Sequence, residues 1–130
     1  MTRPKMIWPC INYRDAQAAI EFLAVAFGFV VNAVHRMGDH VEHAELLFPE
    51  GGGIMLGSAS SDGTPFERLP TGSSGVYIAT DDPAGIYRAA TGAGAKVVRA
   101  LNPEAPARGF IVADPEGNLW SLGTYRGEGR

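Results

Sequence analysis

Hydrophobic and polar positions divide the chain into short alternating runs and two segments of helical period. Met6–Tyr13 reads as a strand, weakened at Pro9, which has no N–H to give to a ladder. Asp15 is a natural N-cap for a helix running to Phe27. Ile20, Leu23 and Phe27 share one face of it, and Gly28 ends it. Phe29–His35, Val41–Phe48 and Gly53–Ser58 read as strands, the last two joined by a Pro49-Glu50-Gly51 turn. Ser58–Ser74 is rich in Ser, Gly and Pro and reads as a connection. Gly75–Thr80 is then a strand, and Asp82-Pro83 opens a helix that runs to Thr91 and stops at Gly92 and Gly94. Ala95–Ala100 is a strand. Phe110–Ala113 and Leu119–Gly123 form a final hairpin around Asp114-Pro115-Glu116-Gly117-Asn118.

Both halves therefore read strand, helix, strand, strand, strand. A shift of 66 residues superposes Asp15 on Asp81, Ile20 on Ile86, Gly28 on Gly94, Pro49-Glu50-Gly51 on Pro115-Glu116-Gly117 and Gly57 on Gly123. One offset kept over that length is a duplication, so the fold class is α+β with tandem βαβββ repeats. A single domain over 1–130 is expected, with repeat one at 6–58, a connection at 59–74 and repeat two at 75–125. One helix per four strands covers only one sheet face. Alternation assigns Phe110, Val112, Trp120 and Leu122, with Ala44, Leu46, Ile54 and Leu56, to the helix-covered core. The open face then carries His43, Glu45, Met55, Ile111 and Ser121, joined by Trp8, Cys10 and Tyr77 from the first strand of each repeat.

Composition narrows the functional classes. Apolar content of 45% and charged content of 19% are those of a globular chain, and a net charge of −3 with scattered Lys and Arg offers no field for nucleic acid. One cysteine excludes an internal disulfide. No apolar run reaches membrane-spanning length, and the N-terminus lacks a signal-peptide core, so a cytoplasmic protein with no membrane partner is expected.

The duplication and the Asp114-Pro115-Glu116-Gly117-Asn118-Leu119-Trp120 run, with Asp15–Phe22 opening the first helix, resemble the glyoxalase/bleomycin-resistance/dioxygenase group, the vicinal oxygen chelate superfamily. The resemblance spans Met6 to Tyr125. It implies a U-shaped mixed sheet with helices on its outer face, and a homodimer. Enzymes of the group hold a divalent metal through His or Gln on the first strand of each unit and Glu on the last. The matching positions here carry Trp8, Met55, Ser74 or Gly75, and Ser121. Indole, thioether and hydroxyl groups do not replace imidazole and carboxylate, and the neighbours Ile7, Pro9, Ile54, Leu56, Trp120 and Leu122 do no better. No metal or other cofactor is expected.

The expected ligand-binding set is Trp8, His43, Glu45, Met55, Tyr77, Ile111 and Ser121. At i, i+2 on one strand, His43 and Glu45 place imidazole beside carboxylate. They suit a ligand anchor, a general base or a relocated metal site, and equally a plain solvent-facing pair. Trp8 and Tyr77 suit flat ligands, or else a core or dimer contact. Cys10 reads as a small hydrophobe, and His35 and His40 as surface residues flanking a turn. Two functions follow: a small-molecule-binding protein of the antibiotic-resistance type that sequesters a hydrophobic or aromatic compound, or a lyase-, isomerase- or dioxygenase-like enzyme with a displaced site at His43 and Glu45. A dimer with a vestigial pocket is the third reading.

Overall fold

The computed structural model describes residues 7–129. The elements are β1 (Cys10–Tyr13), α1 (Ala16–Phe27), β2 (Val30–Met37), β3 (His40–Leu47) and β4 (Gly53–Ser58), then β5 (Gly75–Ala79), α2 (Pro83–Gly92), β6 (Lys96–Arg99), β7 (Phe110–Ala113) and β8 (Leu119–Gly123). Each repeat builds its own four-stranded mixed sheet, in the orders β1-β4-β3-β2 and β5-β8-β7-β6. The first strand of each runs parallel to the last, and the other neighbours are antiparallel. Met6, the expected start of the first strand, lies outside the described residues. β1 itself begins only after Pro9, which contributes just its carbonyl, accepting from the Met55 N–H at 2.9 Å.

The helix caps correct the repeat spacing. Asp15 accepts from the Ala18 N–H at 3.1 Å, and its counterpart in repeat two is Asp82, which accepts from Gly85 at 3.0 Å. These caps lie 67 residues apart, as do Cys10 and Tyr77, the β1 and β5 residues paired with Met55 and Ser121. From the left-handed Gly28 and Gly94 onward the spacing is 66. From helix cap to left-handed glycine, repeat two is one residue shorter than repeat one, and α2 lies in that stretch. Asp81 is therefore not the partner of Asp15, and Gly75 rather than Ser74 is the counterpart of Trp8.

The core follows the alternation read from the sequence. Ala44, Leu46, Ile54, Leu56, Phe110, Val112, Trp120 and Leu122 are all buried. Trp120 joins the repeats: its ring lies 5.1 Å from Phe27 and 5.9 Å from Phe29, both in the other half. Burying one large aromatic removes roughly 150–250 Å² from water, so this junction is a main source of cohesion between the halves.

The Asp114–Asn118 turn is the second junction. The buried Asp114 carboxylate accepts the Tyr13 hydroxyl at 2.6 Å, the Trp120 indole N–H at 3.1 Å and the Asn118 backbone N–H at 3.1 Å. Burial, together with the hydrogen bond and charge of Asp114, pushes the Tyr13 phenol far above its ordinary range. Glu116 then reaches into repeat one and accepts the Arg14 and Asp15 N–H groups at 2.7 and 2.8 Å. Glu50 returns the contact, accepting the Thr80 hydroxyl at 2.7 Å and the Asp81 N–H at 3.0 Å. Each half thus completes the helix entry of the other, where unpaired N–H groups would otherwise face solvent.

Candidate functional site

The open face of the first sheet is hollow. β1, β4 and β3 set Cys10 beside Met55 and Met55 beside Glu45, with Asn12 beside Gly57. Over this face folds the 59–74 connection, whose Thr64, Phe66 and Glu67 form the far wall of a groove of about 370 Å³. Two contacts fasten it. The Asn12 amide donates to the Phe66 and Leu69 carbonyls, and His40 bonds Glu67 at 2.9 Å. The Thr64 N–H and then His40 hold the Glu67 carboxyl below its ordinary range.

His43 lines this groove. A residue bulged out of β3 at Glu42 shifts the strand's phase, so that Val41 and Ala44 are both buried while His43 and Glu45 share the open face. The His43 Nε2 lies 2.8 Å from Glu45 Oε2, and Asn32 donates to Glu45 Oε1 at 2.9 Å. These two bonds, His43 first, hold the Glu45 carboxyl below its ordinary range. The His35 ring stacks on His43 at 5.9 Å and 25°. His35 and His40, expected as plain surface residues, are thus structural partners of the groove's polar groups.

The other expected site residues lie elsewhere. Trp8 sits at the end of the same sheet, where a Cβ on Gly53 would come within 2.8 Å of its ring. Tyr77, Ser121 and Ile111 form a row across β5, β8 and β7 of the second sheet. Tyr77 donates to the Tyr125 carbonyl at 2.6 Å and borders a separate cleft of about 330 Å³ between the repeats, walled by Phe29, Phe48, Ile54 and Val76. Within one chain, then, His43, Glu45 and Met55 come together, and Tyr77, Ile111 and Ser121 form a second group. Asn12 was missed although it shares the phase of Cys10. Phe66 and Glu67 carry no sequence signal, because an irregular connection has no period to read.

Among the described residues no three His, Cys, Asp or Glu side chains converge as a metal-ligand set. No helix among them is long and apolar enough to cross a membrane.

A sequence profile described as the Glyoxalase/Bleomycin resistance protein/Dioxygenase superfamily matches residues 5–122. No curated protein matches the chain. Among solved structures, TioX from Micromonospora sp. ML1 is similar at 25% identity with a TM-score of 0.73, covering 92% of this chain and 97% of TioX. TnmS3, an antibiotic binding protein from Streptomyces sp. CB03234, shares the fold at 22% identity and a TM-score of 0.67, over 95% of this chain and 97% of its own. The fosfomycin resistance protein FosX from Listeria monocytogenes does so at 11% identity and a TM-score of 0.63, over 93% of this chain and 91% of its own. The duplicated βαβββ architecture and the profile match agree: the chain belongs to the glyoxalase/bleomycin resistance protein/dioxygenase superfamily.

Proposed function

We propose that this chain is a small-molecule-binding protein that sequesters a hydrophobic or aromatic compound without the metal centre of its enzymatic relatives. The observation that carries this reading is the groove over the first sheet, whose walls combine Met55, Cys10 and Phe66 with a few anchored polar groups. TnmS3, an antibiotic binding protein, shows that the fold can serve binding. The positions matching the superfamily's metal ligands carry the indole of Trp8, the thioether of Met55, no side chain at Gly75 and the hydroxyl of Ser121. That donor set does not fit a divalent ion.

The ligand-binding set of this reading is Trp8, His43, Glu45 and Met55 from one protomer, with Tyr77, Ile111 and Ser121 supplied by the second sheet of its partner in a homodimer. Exposed Val30, Val31, Met37, Tyr77, Val98 and Leu119 give such an assembly apolar surface to cover. A cytoplasmic location fits the same reading.

A thermal-shift screen over aromatic and hydrophobic compounds tests the function. Hits are expected in the native protein and not in Met55→Trp, which fills the groove; a broad screen without a hit removes the reading. Sedimentation at micromolar concentration is expected to give twice the 13.8 kDa chain mass. A second reading, an enzyme with a displaced centre, is favoured by the 2.8 Å His43–Glu45 contact. Metal analysis of protein purified without chelator separates the two. Stoichiometric Zn, Ni, Mn or Fe, lost in the His43→Ala/Glu45→Ala variant, would establish the enzyme-like site and overturn the binder.

A further inference from the structure

The polar groups of the groove have an imbalance that bears on what can bind there. Most of its donors are spent: the Asn12 amide on the Phe66 and Leu69 carbonyls, the His43 Nε2 on Glu45, and the Cys10 thiol on the Trp8 carbonyl at 3.6 Å, while the Thr64 hydroxyl, which accepts from the Glu67 N–H, keeps its hydrogen. Its acceptors are not. The Glu42 side chain lines the groove with no hydrogen bond to a described residue, and Asn12 keeps its amide oxygen.

His43 lines the groove beside them. A carboxylate can only accept, so the 2.8 Å contact to Glu45 requires a hydrogen on Nε2; in the neutral form of such a ring the lone pair is on Nδ1. No described residue bonds Nδ1. The ring is held from two sides: on its Nε2 edge by Glu45, itself fixed by Asn32, and on its face by the stacked His35. An acceptor immobilised in advance loses little entropy when a ligand docks. Met55, Cys10 and Phe66 beside it present polarisable and aromatic surface.

We propose that the groove selects a neutral aromatic molecule bearing a ring hydroxyl, which donates its hydrogen bond to Nδ1 of His43. The inference rests on the groove being a binding site, and it adds a ligand class: a phenol-type donor, with carboxylates and phosphates turned away by Glu42, Glu45 and Glu67. Asn32, Glu45 and His35 are positioning residues; His43 makes the contact.

Fluorescence titration at pH 7 with 2-naphthol, 2-methoxynaphthalene and 2-naphthoate tests it. In the native protein 2-naphthol should bind about tenfold tighter than its methyl ether, the worth of one hydrogen bond, with 2-naphthoate weakest. In His43→Phe, which keeps a flat ring without an acceptor, the preference for 2-naphthol should fall to within about twofold while the ether binds as before. If that variant does not fold, the ¹⁵N resonance of His43 Nδ1 in the native protein decides. A shift with 2-naphthol and none with the ether supports the contact, and no shift with 2-naphthol overturns it. Equal binding of naphthol and ether, tightest binding of naphthoate, or no binding of any of the three overturns the hydroxyl-donor class. Hits of other chemistry in the wider screen would leave the binding function standing.

Discussion

The hydroxyl of Tyr13 donates to the Asp114 carboxylate at 2.6 Å across 101 residues of chain, with both residues buried. This contact ties the first strand of one repeat to the last turn of the other. Tyr13→Phe keeps the ring and removes one bond to a charged acceptor, so a loss of about 1.5–3 kcal/mol is expected. Asp114→Ala should cost more than about 4 kcal/mol, because it strands the Tyr13 hydroxyl, the Trp120 indole and the turn's own N–H groups together. Urea denaturation checks both, the midpoint falling with little change in slope.

Glu50 and Glu116 play equivalent roles with unequal burial, their side chains being 33% and 10% exposed. Glu116→Ala is expected to cost about 2 kcal/mol and Glu50→Ala about 1 kcal/mol, the range of a lost helix cap. Thermal unfolding of the two single variants and the double variant should give nearly additive losses, since each carboxylate serves a different helix.

Acid stability should depend on Glu45 and Glu67. Both carboxyls are held below their ordinary value of 4.5 in the folded chain. The unfolded chain therefore takes up protons first as the pH falls. The stabilisation they give is present above 4.5 and is lost as the pH drops through the lowered folded values. Stability measured from pH 7 to pH 3 should fall less steeply in Glu45→Gln/Glu67→Gln than in the native protein; identical slopes would contradict this.

Gly109 enters β7 with φ at 72°, and a Cβ there would come 1.5 Å from the Leu122 carbonyl oxygen. No relaxation of a side chain relieves a backbone clash, so Gly109→Ala has to move β8. A loss of at least about 3 kcal/mol is expected, read as a lower melting temperature and poor soluble yield.

Element order, both helix starts and the buried face were legible in the sequence because each rests on local pattern. Asp15 and Asp82-Pro83 state their capping role within a few residues, and Phe110, Val112, Trp120 and Leu122 declare a face by alternation. The spacing of 66 hid the one-residue difference between cap and glycine, because glycines and the Pro-Glu-Gly turns dominate the match while the caps follow 67. The meaning of the Asp114–Asn118 run was not legible at all. Its partners Tyr13, Arg14 and Asp15 are about a hundred residues away, and nothing local shows that a turn serves the opposite repeat. In the groove, His43 and Glu45 were recoverable from strand phase, whereas His40–Glu67 depends on where an irregular segment settles.

The exchange of Glu50 and Glu116 between the halves has an evolutionary corollary. Neither bond needs the intervening chain to be continuous, so two separate copies of one repeat could swap the same acids across a true two-fold axis. Joining two such genes end to end would have preserved a handshake already in use, and a molecule nicked between residues 59 and 74 should still hold hands.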